Sequence, residues 1–204
     1  PVTTTDELIP SGETSSFRSN PLRLAEFTLS RKDPGYVGRA KAVKADDDAR
    51  RAGSLPAEVA AVYEALKAVG CQVDEANTNI GSAIFAIKPG DGSAREQAAS
   101  CQRVLGGAAN FALEYATKRY RSNCINWGML PFLTTDPDAC PWTGLCLPVP
   151  AVRAALLNKD DTMPGYAVLP SGEVKAITLR LGALTDAERQ ILADGCLINY
   201  YKHN

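Results

Sequence analysis

The sequence is short of several things that enzymes commonly use. It has one histidine, His203, next to the last of 204 residues. That leaves no imidazole partner for a serine in the body of the chain, so a Ser-His-Asp relay is not expected. No two cysteines are spaced C-x-x-C. The closest pair, Cys140 and Cys146, is separated by a Pro-Trp-Thr-Gly-Leu stretch. A zinc or iron–sulfur site built by this chain alone is therefore not expected. There is no Gly-Lys-Ser/Thr ending, which excludes a phosphate-cradling P-loop. There is no apolar run of membrane-spanning length, and the start, PVTTTDELIPSGETSS, has neither the basic nor the apolar segment of a secretory signal. Excess charge is missing too. The formal net charge is −1, which gives no general attraction to nucleic acid or an anionic membrane.

What is present suits a folded domain. Apolar residues make up 45% and charged residues 22% of the chain, ordinary values for a globular protein with a real core. Six cysteines without a secretory signal read as reduced thiols in a cytoplasmic protein. The missing initiator methionine reads as the mark of a piece of something longer. Residues 1–20, rich in Pro, Gly, Ser and Thr, are expected to be an irregular linker or extension, and residues 21–204 the domain proper.

Periodicity sets the elements. A short helix is expected from Pro21. The mixed charge run ADDDARRAG (45–53) reads as a solvated face. Residues 54–70 read as a helix capped by Ser54 and ended by Gly70. Ala-Ile-Phe-Ala-Ile (83–87) reads as a buried strand. A helix then runs to about Val104, followed by a strand at 109–115, another helix, and a Pro- and Cys-rich surface loop over 134–150. Residues 166–181 read as a hairpin turning at Pro170-Ser171-Gly172. Thr185 and Glu188 make a capping box for a last helix reaching about Tyr201. Strands alternating with helices, plus a late hairpin, predict an α/β domain with a mixed sheet.

The stretch GDGSAREQAAS (90–100) carries the chemistry. Ser93 and Glu96 fit S-x-x-E, so one reading is a capping box entered through two permissive glycines. The other begins from the same geometry. A strand, a glycine turn and a helix N-terminus present free N–H groups to an anion, and Arg95 adds a fork that matches a carboxylate. A serine in such a field can act as a base.

The order GDGSAREQA, Gly106-Gly107, Asn123 and Gly128-Met129-Leu130-Pro131 resembles the swivelling C-terminal domain of the aconitase and isopropylmalate isomerase superfamily. It is most similar to the aconitase-like branch of hydratases. The resemblance implies a three-layer β/β/α swivelling domain with a mixed, partly barrel-like sheet flanked by helices. It also implies reversible dehydration of a hydroxy di- or tricarboxylic acid. Ser93 would be the base, and Arg95, Arg18, Gly92 and Ala94 would bind substrate. A [4Fe–4S] cluster would be held by other, cluster-bearing domains of the same enzyme, leaving the isolated domain inactive. Ala94 stands where the family usually has a second serine, and Gln97 where a histidine is usual.

Other readings stand beside this one. One is a natural small subunit of an isopropylmalate isomerase. Another is a non-catalytic module binding RNA through Lys118, Arg119 and Arg121, or binding a partner domain. Given the near-neutral charge, the basic cluster reads as a solvated helix face. Trp127 reads as a packing anchor.

Overall fold

The computed structural model describes residues 1–204. The chain opens with β1 (Val2–Thr4), which runs directly into α1 (Thr5–Leu8), then α2 (Ser11–Thr14) and a 3₁₀ turn at Ser15–Phe17. The expectation that residues 1–20 are irregular is thus corrected. Leu8 and Ile9 are buried, and β1 has a strand partner. Polar composition hid this, because two apolar side chains and a borrowed strand are enough to dock the segment.

The helix expected from Pro21 is short: α3 (Pro21–Ala25), capped by Asn20, whose side chain accepts from the Arg23 N–H at 3.1 Å. Next come α4 (Tyr36–Arg51) and α5 (Ala57–Ala68). Ser54 does not cap α5, since Pro56 occupies that position without a side-chain bond. The mixed charge run is not simply solvated. Asp47 of α4 is buried and bonds Arg50, Arg51 and the Ile80 N–H. Burial pushes its pKa up, but the Ile80 N–H and the two arginines outweigh this and hold the carboxyl below its usual range.

The expected buried strand is β2 (Ser82–Ala86). It is followed by a strand the sequence did not suggest, β3 (Lys88–Asp91). Then come α6 (Arg95–Val104), β4 (Gly107–Ala112), α7 (Lys118–Asn126) and β5 (Leu130–Leu133). The loop over 134–150 is irregular but not confined to the surface. Cys140 and Trp142 are buried, and the Trp142 ring stacks on Phe85 at 4.8 Å. After α8 (Val152–Asn158), the hairpin forms as expected from β6 (Thr162–Val168) and β7 (Val174–Arg180). The last helix is two helices, α9 (Asp186–Asp194) and α10 (Leu197–His203). They are broken at Gly195, which takes a left-handed φ of 96°.

Two sheets result. β1 and β3 pair in parallel. The other five strands lie in the order β2-β4-β5-β7-β6, the first three mutually parallel and β7 antiparallel to both its neighbours. This is the expected mixed α/β architecture. The larger sheet is open, not closed into a barrel, with β2 and β6 as its edges. One core packs Phe111, Phe132, Met163 and Leu179 of the sheet against α8 and α9. A second gathers Leu8, Ile9, Tyr36 and Ile84 with the buried sides of α6 and α7. The turn at residues 92–94 sits above this second core.

Candidate functional site

Parallel pairing of β1 with β3 brings two strand-to-helix turns to the same end of a small sheet. β1 passes into α1 and β3 into α6, with Thr4 opposite Asp91. Between the helix starts lies a depression of about 270 Å³. Asp91, Gly92, Ser93 and Ala94 line one wall, and Thr4, Thr5, Asp6 and Ser11 the other. The second wall comes from residues whose polar composition predicts a linker. Its only local sign was the Thr4-x-x-Glu7 spacing, which marks a helix start without saying what it faces.

The turn is held from below. Gly90 has φ 100°, and a Cβ there would overlap the Tyr120 ring. The Thr117 hydroxyl donates to the Gly90 carbonyl at 3.1 Å. The Tyr120 hydroxyl accepts from Asn110 at 3.1 Å, and Asn110 accepts from Gln102 at 2.7 Å. Burial pushes the Tyr120 phenol well above its ordinary pKa, so this network is neutral. Gly92 has φ 129°, and a Cβ there would run into the Thr5 hydroxyl.

Ser93 is exposed, and its hydroxyl makes no hydrogen bond within the chain. It is not a helix cap. The cap position of α6 belongs to Ala94, which has no side chain able to serve. The chain holds three Ser/Thr-x-x-Glu segments. Two form complete capping boxes: Thr4 with Glu7, and Thr185 with Glu188. The third, Ser93 with Glu96, forms neither bond. The Glu96 carboxylate instead accepts from the Trp127 indole N–H at 2.5 Å and from the Asn123 side-chain amide. No backbone N–H from Gly92 to Gln97 donates within the chain. The capping reading of Ser93 is therefore corrected, and a row of free donors surrounds an unengaged hydroxyl.

Arg95 opens α6. Its Nε is buried without a partner in the chain, and it makes no ion pair. Gly92 and Ala94 share the depression with Ser93. Arg18 does not. It is exposed at the end of the 3₁₀ turn and lies outside the lining residues. Its segment does pass near α6, where Gln97 approaches the Thr14 hydroxyl at 3.5 Å. The field is mixed, not uniformly positive, because Asp6 and Asp91 border the depression. The Asp6 carboxyl is held below its usual range, first by the Ser11 N–H and hydroxyl and then by Arg31.

A larger hollow of about 830 Å³ lies over Arg50, Arg51, Ser54 and Glu75. It is wide open, and Arg50 is already engaged by Asp47, the Ala76 carbonyl and Asn79. Unpaired donors, which a ligand can satisfy, single out the smaller depression. The basic cluster of α7 is broken up: Arg121 turns inward onto the Leu181 and Ala183 carbonyls, leaving only Lys118 and Arg119 exposed. Trp127 packs beside the second core and is also a hydrogen-bond donor.

No group of three His, Cys, Asp or Glu side chains converges on a metal position. All six cysteines are free thiols. Burial pushes Cys101 up to about 11 and Cys124 up to about 12, far from the thiolate form that binds metal. No helix is long and apolar enough to cross a membrane.

No family model matches the sequence, and no curated protein matches it. Among solved structures it is similar to 3-isopropylmalate dehydratase (leuD) from Methanocaldococcus jannaschii DSM2661. The TM-score is 0.55 and the identity 20%, over 99% of this chain and 91% of that chain. At that identity the likeness establishes a shared fold.

Proposed function

We propose that the chain is the swivelling component of an aconitase-like hydro-lyase acting on a hydroxy di- or tricarboxylic acid. The observation that carries this reading is the unengaged Ser93 hydroxyl among free backbone donors beside Arg95. A serine that neither caps a helix nor bonds a neighbour is available for chemistry. The fold shared with a dehydratase supports the same reading.

Ser93 Oγ, as the alkoxide, takes the proton from the carbon next to a substrate carboxylate. The pair of electrons left behind forms the carbon–carbon double bond as the neighbouring hydroxyl departs. An alkoxide exists only where positive charge surrounds it. The N–H groups of residues 92–97, the dipole of α6 and the Arg95 guanidinium supply that charge. Arg95 meets one carboxylate in a two-pronged contact. The N–H groups of Gly92 and Ala94 complete the cradle. Arg18, free of partners in this chain, closes on a second carboxylate as the partner domain docks. With Ala94 in place of a serine, the substrate carboxylate loses one hydroxyl contact, which argues against citrate and isocitrate.

The residues of this chain do not fit a [4Fe–4S] cluster, since no three potential ligands converge and burial pushes the Cys101 and Cys124 thiols up. Under this reading the cluster belongs to partner domains, and departure of the hydroxyl is their work. A separate subunit of the isopropylmalate isomerase type is a second arrangement of the same chemistry. The neighbouring solved chain, matched over 91% of its length, supports it.

The test is turnover of a panel of hydroxy acids by the chain joined to its cluster-bearing partner, with Ser93→Ala alongside. Loss of about 10²–10⁴-fold in kcat with substrate binding retained is expected for removal of a base. Undiminished turnover by Ser93→Ala would reject the assignment.

A further inference from the structure

Ser93 is not paired with Glu96: α6 takes its cap one residue later, at Ala94, and the Glu96 carboxylate is engaged by Asn123 and Trp127. The spacing Ser93-x-x-Glu96 is that of a capping box, and the chain forms such a box at both other places where the spacing occurs. In those boxes the glutamate bonds back to the cap residue's N–H, at 2.7 Å for Thr4 and 2.8 Å for Thr185. The hydroxyl accepts from the glutamate's own N–H, at 3.2 Å in both. At Ser93 either bond would be damaging to a base. The hydroxyl would be spent on the Glu96 N–H, and a carboxylate would lie among the donors meant for an anion, next to Arg95.

We propose that Asn123 of α7 and Trp127, which caps the C-terminal end of that helix, are positioning residues that hold Glu96 away from this box and so keep Ser93 and its N–H donors open. This rests on the reading of Ser93 as the base. Both donors address the one carboxylate, Trp127 Nε1 to Oε1 and Asn123 Nδ2 to Oε2, so both oxygens are drawn toward the end of α7. Charge-assisted bonds of this kind are stronger than the neutral contacts of the turn. The α6 and α7 helices pack directly on each other through Ala98, Cys101, Tyr120 and Cys124, which fixes the distance over which the hold acts.

The test uses the full chain carrying Asn123→Ala and Trp127→Phe, changes that remove the donors and keep most of the packing. Trp127→Phe alone is the milder second variant. Backbone amide NMR reads the turn without any catalysis. Ser93 and Glu96 amides exchange freely in the wild type. In the variants they shift and gain protection of about fivefold, as a box worth about 1 kcal/mol forms.

In the complex with the cluster-bearing partner, kcat/KM falls about fivefold, and adding Glu96→Ala restores it. Restoration by a second loss is not what simple damage to the helix pair would give. Amides that stay unshifted and unprotected in both variants overturn the proposal, whatever happens to activity. So does a loss of activity that Glu96→Ala fails to relieve. Full turnover by Ser93→Ala in the same assay would instead sink the assignment of the base, while the amide result would still report on the box.

Discussion

β1 with α1 and β3 with α6 are two copies of one local device. Each is a short strand running into a helix, the strands are parallel neighbours, and both helix starts face one depression. The first start is closed. Glu7 returns to Thr4, and Lys32 and Arg31 screen the acids around it. The second start is open. Its glutamate is held by another helix, and its serine and donors face solvent. The same spacing of hydroxyl and carboxylate thus gives a closed, bonded end in one place and an open, unengaged end in the other. They differ in which residue takes the cap position, Thr4 in the first and Ala94 in the second, and in what stands within reach of the carboxylate.

The contrast can be broken most severely at Gly92. Gly92→Ala puts a Cβ at φ 129° against the Thr5 hydroxyl, forcing the two turns apart. A loss of about 2–3 kcal/mol in urea unfolding is expected. Gly172→Ala is the control, because Gly172 also has a positive φ, 87°, but nothing within 4 Å. It should lose only about 1 kcal/mol. Equal losses at the two sites would mean that Thr5 does not confine the turn.

Removing the hydroxyls sharpens the contrast. Thr185→Ala deletes a working cap and should lower stability by about 1 kcal/mol. Ser93→Ala deletes an unengaged hydroxyl and should stay within about 0.5 kcal/mol of wild type, even as turnover collapses. A Ser93→Ala loss as large as that of Thr185→Ala would show that Ser93 caps after all.

The smallest effect is in acid. The Glu7 carboxyl is held below its usual range by the Thr4 N–H first and Lys32 second. A depressed folded-state pKa contributes stability above the unfolded value of about 4.3 and loses it as pH falls through the folded value. The Thr4 amide signal should therefore titrate with a midpoint below about 4.3, and Glu7→Gln should abolish the titration. A midpoint at or above that value would mean the α1 box does not bind the charged carboxylate.

Much of the fold could be read from local pattern. The 166–181 hairpin, the Thr185–Glu188 box and the end of α6 before Gly106 announce themselves through turn residues and caps. β3 does not. Lys88-Pro89-Gly90-Asp91 has no β-branched residue and three poor strand formers, and it is a strand because β1 lies beside it. β1 was missed for the reciprocal reason. At the site, Ser93, Arg95 and the glycine turn were legible as a group. The fate of Glu96 was not, because Asn123 and Trp127 are far along the chain and the S-x-x-E spacing argues for the opposite outcome. Thr4, Thr5, Asp6 and Ser11, the second wall, were hidden by the same polar composition that made the start of the chain look like a linker.

The pairing of Val2 with Lys88 also has a consequence for the order in which the molecule assembles. Most strand contacts here join neighbours in sequence or elements one helix apart. This one closes a loop that contains α1 to α5 and β2, with a correspondingly large entropy of closure to overcome. The two-walled depression is therefore expected among the last features to form during folding. A refolding chain is expected to reach its helices and hairpin before the depression closes, and strand β1 acts as the latch that completes it.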